Sequence, residues 1–156
     1  MKISSDERVV LAAEARALVD ELPPGPASGV FARIAVAADA GEVPDDLAAR
    51  VGELTEFSLA SGRARAEHGP EGVRAMTAIW RRTPSGAAAD RSAQELNAAL
   101  SALTGCALES VRVTATGPGA GSVAISAGGH TVRLAADTAG IRLRSIDVGA
   151  TEIGGE

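Results

Sequence analysis

The chain has 156 residues, a formal net charge of −5, 46% hydrophobic and 22% charged residues, and only 2% aromatics. This is one domain's worth of ordinary globular composition, so extended disorder is excluded and a single domain over 1–156 is expected. Three aromatic side chains (Phe31, Phe57 and Trp80) do not furnish a base-stacking platform or an aromatic cage, and the acidic balance opposes general binding to nucleic acid.

Helical signals fill residues 1–105. Ser4 with Glu7 forms a capping box, and Leu11, Ala15, Leu18 and Leu22 follow as one apolar stripe, ended by Pro23-Pro24-Gly25-Pro26. A second helix is predicted from about Ser28 to Ala40, with Gly41 closing it. Pro44 opens a third helix, Asp45 and Asp46 favouring its positive end, with Leu47, Val51, Leu54 and Phe57 on the inner face. That helix stops near Gly62 or runs on to His68. Gly69-Pro70 reads as a break, and a fourth helix starts there, carrying Val73, Met76, Ile79 and Trp80. A fifth spans about Gly86–Leu103, striped by Ala89, Ala93, Leu96, Leu100 and Leu103, before Gly105.

From residue 106 the apolar period changes from 3.6 to 2. Four alternating runs around Val111–Thr116, Val123–Ala127, Val132–Asp137 and Ile141–Arg144 are separated by glycine-rich turns. Gly128-Gly129 is a two-residue hairpin signal that pairs Ala127 with His130, Ile125 with Val132 and Val123 with Leu134. A turn at Thr138-Ala139 pairs Ala136 with Ile141 and Leu134 with Leu143, again matching like faces. The parity slips at Ile146 and Val148, which predicts a bulge near Arg144–Ile146 that also blunts one sheet edge. Glu152–Glu156 reads as a frayed tail. The predicted fold is therefore α+β: an N-terminal layer of about five helices (1–105) on one face of a C-terminal four-stranded antiparallel meander (106–156).

Chemistry-bearing motifs are few. The single cysteine, Cys106, excludes an intramolecular disulfide and suits a reducing compartment. With only His68 and His130 beside it, no metal set, nucleophile–base pair or cofactor motif is recognisable, and none is expected. Gly117–Gly121 lacks the lysine and the following helix of a phosphate-binding loop, and reads as a hairpin turn. Charged residues interrupt the Val9–Val19 stretch, so no leader peptide or membrane span is expected and a cytoplasmic protein is. Heavy alanine, glycine and arginine usage points to a bacterial source.

Two basic groups remain. Arg112, Arg133, Arg142 and Arg144 all fall on the outward face of the predicted sheet, with Arg133 opposite Arg144. Facing like charges calls for compensation by an anion, an acidic partner or a carboxylate such as Asp137. The plainer reading is a solvated face whose long stems cover the sheet. Trp80 with Arg81 and Arg82 is a second candidate contact patch, set against a buried tryptophan followed by helix-end arginines. The expectation is a non-catalytic cytoplasmic module that binds another protein or itself, a homodimer included. The alternatives are a binder of an anionic ligand or nucleic acid through the arginine face, and a small enzyme.

Overall fold

The computed structural model describes residues 1–137 and 140–148. Five helices, α1 (Ser5–Glu21), α2 (Pro26–Ala40), α3 (Asp45–Ala60), α4 (Arg63–Arg81) and α5 (Pro84–Ser101), precede four strands, β1 (Leu108–Gly117), β2 (Ala120–Ala127), β3 (His130–Asp137) and β4 (Gly140–Val148). The strands form an antiparallel sheet in the order β1-β2-β3-β4. The α+β order expected from the sequence is thus present. Contacts divide the chain into two compact units, Met1–Ala88 and Ala89–Glu156. Their boundary falls inside α5 and not at the helix-to-strand change.

The first unit is a helical core. Its centre is aliphatic: Leu11 and Ala15 of α1, Ile34 and Ala38 of α2, Val51 and Leu54 of α3, and Met76 and Ile79 of α4 are all buried. The capping box forms as predicted, the Ser4 amide donating to Glu7 Oε2 at 2.7 Å and the Glu7 amide to Ser4 Oγ at 3.4 Å. One predicted core residue is misplaced: Phe57 is 50% exposed. The helix stops expected near Gly62 and at Gly69-Pro70 are both present. α3 ends at Ala60, and α4 begins at Arg63 and is broken at Gly69. Gly69 takes φ 65°, ψ −162°, a conformation open only to glycine, so the helix kinks there and resumes with Pro70 as a first-turn residue.

The second unit is the sheet with the end of α5. Gly128 and Gly129 both have positive φ, 57° and 75°, as the mirror-image hairpin turn requires, and the β2–β3 register is the predicted one. Ala136↔Ile141 and Leu134↔Leu143 also pair as expected, while the Thr138-Ala139 turn and the Glu152–Glu156 tail lie outside the described residues. The α5 stripe packs at its predicted residues Leu96, Leu100 and Leu103, whereas Ala89 and Ala93 are exposed. Ala99 is buried and, with Leu96, Leu100 and Leu103, packs on Val132, Leu134, Val123 and Leu143. This covers the centre of the apolar face, and Val111, Val113, Ile141, Ile146 and Val148 remain exposed.

Candidate functional site

On the opposite, polar face of the sheet, even-numbered positions of β1 and β2 meet odd-numbered positions of β3, and on β4 the parity changes from even at Arg142 to odd at Ser145 and Asp147. Arg112 pairs with Ala124, and Ala124 pairs with Arg133 on its other side. The predicted Arg133–Arg144 pair is not formed. Arg133 pairs with Ser145 and Leu134 with Leu143, so Arg144 is the extra residue of a bulge. The bulge relieves the like-charge opposition that strict alternation would impose, and leaves Arg144 on the polar face beside Arg133. Three guanidinium groups therefore share one row across the sheet, separated by a side chain as small as Ala124.

Hydroxyls flank the row. Ser110, Thr114, Ser122, Ser126 and Thr131 join Arg112, Arg133 and Arg144 around an open depression of about 580 Å³. Ser126 and Thr131 hydroxyls lie 2.9 Å apart across β2 and β3. Two arginines on this face have carboxylate neighbours: Arg133 with Asp147 at 3.4 Å, and Arg142 with Asp137. Asp137, expected as a carboxylate compensating Arg133 and Arg144, pairs with Arg142 instead, and Asp147 is the neighbour of Arg133. Arg112 and Arg144 have no ion-pair partner among the described residues. The face thus holds four arginines against two aspartates. Exposed pairs of this kind contribute about 0–1 kcal/mol each, so the row is not a device for stability. An arginine fork can still bind a carboxylate or phosphate bidentately.

Trp80, Arg81 and Arg82 belong to the other unit. Trp80 is half-buried, its indole N–H donating to Glu56 Oε1 at 2.9 Å. Arg82 is committed internally: it donates to the Lys2 carbonyl at 2.7 Å, the Ala78 carbonyl at 3.1 Å and Glu7 Oε1 at 2.5 Å. It ties the N-terminus to the end of α4. Burial acts to raise the Glu7 carboxyl, but the Arg82 and Ser4 hydrogen bonds and the Arg82 charge outweigh it and hold it below the usual glutamate value. Arg81 is exposed.

One cluster escaped the sequence reading. Glu14 is 1% exposed inside α1, its Oε1 3.0 Å from His68 Nε2 and its Oε2 3.1 Å from Arg63 Nε. The Arg63 contact has ion-pair distance without hydrogen-bond geometry. Arg63 also donates to Glu21 at 2.6 Å, and that bond raises its already high pKa further. The available signal was the position of Glu14 within the Leu11–Leu18 stripe, where a carboxylate must be paired. His68 borders a depression of about 550 Å³ together with Ser4, Glu7 and Glu71. The Ser4 hydroxyl there is occupied as the α1 cap, and Glu7 and Glu71 are engaged by Arg82 and Arg74. The cluster clasps α1 to α4.

Among the described residues, no group of three or more histidine, cysteine or acidic side chains is placed to hold a metal ion, and no helix is long and apolar enough to cross a membrane. No family model matches the chain, and neither a curated protein nor a solved structure matches it.

Proposed function

We propose that the chain is a non-catalytic protein-interaction module whose sheet unit receives an acidic segment of another protein on its arginine row. The supporting observation is the row itself: Arg112, Arg133 and Arg144 in one line across the sheet, Ala124 between the first two, with Arg112 and Arg144 lacking a carboxylate partner among the described residues. The depression is open to solvent and lined by Arg112, Arg133 and Arg144 with hydroxyls and a few small side chains. That shape suits an extended macromolecular surface better than the enclosed, apolar pockets that hold small molecules. Opposite charges across such a contact speed encounter and set orientation. On this reading Arg81 is a solvated surface residue of the helical unit, and half-buried Trp80 and Arg82 are structural.

The test is binding of a fluorescent glutamate-rich peptide, followed by anisotropy, to the wild type and to the R112A/R144A double variant. The double variant is expected to fold normally and to bind at least about tenfold more weakly, with the wild-type affinity falling as salt rises. Inorganic phosphate that displaces the peptide at low millimolar concentration would favour a small-anion site instead. Equal binding by both proteins would refute the proposal.

A further inference from the structure

β1 is an edge strand, and two features set it apart from the other edge. All ten of its residues are exposed, and its stretch Ser110–Ala115 pairs regularly with β2 between register shifts at either end. Neither edge strand contains proline or lysine, but β4 is interrupted in its middle by the Arg144 bulge, whereas the shifts in β1 lie at its two ends. Bulges, prolines and lysines are the usual means by which an edge is closed to further pairing. Its two faces carry different chemistry. Val111 and Val113 are 54% and 73% exposed on one side, and Arg112, without an ion-pair partner among the described residues, stands on the other.

We propose that β1 takes up a fifth strand: an extended partner segment in which acidic and aliphatic residues alternate. Backbone N–H and C=O groups of alternate β1 residues point away from β2, and an added strand would satisfy them. Because side chains alternate across a strand, its aliphatic residues would cover Val111 and Val113 while its acidic residues meet Arg112 and the row behind it. This rests on the reading of the arginine face as an acidic-partner surface, and adds to it the conformation and sequence pattern of the partner. Charge complementarity selects this occupant over a second copy of the chain. Two β1 strands paired antiparallel with like faces together, in the registers that overlap Ser110–Ala115 most fully, set the two Arg112 side chains directly opposite or diagonal to each other. Like charges in those positions are unfavourable.

The experiment uses the full chain and three blocked eight-residue peptides followed by fluorescence anisotropy. One alternates glutamate and valine. The second is identical but N-methylated at two adjacent central residues, which removes a donor from each edge. The third has lysine for glutamate. The first is expected to bind, the methylated twin at least about tenfold more weakly, and the lysine peptide not measurably. V113K, an exposed change that leaves β1–β2 pairing intact, is expected to weaken the first peptide about fivefold through lost apolar cover. Equal binding of the methylated twin would overturn strand addition while leaving the arginine-face reading standing. Failure of both acidic peptides to bind would overturn both. A chain that dimerises in sedimentation, with dimerisation abolished by V113K, would overturn the choice of partner in favour of a second copy.

Discussion

Replacing Arg63 by methionine keeps most of the side-chain stem and removes the charge that faces Glu14 Oε2 at 3.1 Å. Glu14 is 1% exposed, so its carboxylate then sits in the core with His68 as its remaining partner. Breaking a buried ion pair from one side costs about 3–5 kcal/mol when the other charge is left uncompensated. His68 stays within 3.0 Å and the Arg63 side chain is 24% exposed, which places the cost near the low end. A loss of about 2–3 kcal/mol corresponds, at a urea slope of about 1–1.5 kcal/mol/M, to a midpoint lowered by about 2 M. Trp80 is the only tryptophan and lies in the helical unit, so its emission reports this unfolding. The double variant E14M/R63M removes both charges and is expected to recover most of the loss, because an apolar replacement of a buried pair is often neutral. An R63M midpoint within about 0.3 M of wild type would refute the view that this pairing holds α1 to α4.

Three further outcomes follow from the same geometry. The Glu7 carboxyl is held below its usual value, so its pairing stabilises the fold above the ordinary glutamate range and that contribution is lost as pH falls through the depressed value; urea midpoints by Trp80 emission should drop below about pH 4.5, less steeply in E7Q. G69A places a side chain at φ 65°, ψ −162° and should cost about 1–3 kcal/mol by the same readout, although no neighbouring atom lies within 4 Å of the added carbon. V132A empties a fully buried position beneath Ala99 and should cost about 2 kcal/mol in the sheet unit, seen as a lower melting temperature in far-ultraviolet circular dichroism; no change would contradict the packing of α5 on β3.

Much of the architecture was legible because it is locally encoded. The capping box needs only Ser4 and Glu7, and Gly128-Gly129 fixes its hairpin register within a few residues. The β4 bulge is legible as a parity slip, and absorbing Arg144 there places Ser145 directly opposite Arg133 while Arg144 stays beside it on the polar face. What the sequence concealed is long-range. Glu14 meets a histidine 54 positions away, and helical periodicity alone says nothing about which helix supplies the partner. The helix stops, by contrast, are local and legible: Gly62, with φ 77°, separates α3 from α4, and Gly69, with non-helical backbone, breaks α4 just before Pro70. Alternation identified an apolar face on β1, but whether that face is covered depends on where α5 packs, and α5 reaches only the centre of the sheet.

The arginine row is tested most directly by nuclear magnetic resonance of the nitrogen-15-labelled chain titrated with the glutamate–valine peptide. Amide shifts are expected to concentrate at Ser110–Ala115, at Ala124 and around Arg133 and Arg144, and to vanish in R112A/R144A. Shifts confined to the helical unit, or an unchanged pattern in the double variant, would contradict the assignment of the partner surface to this face.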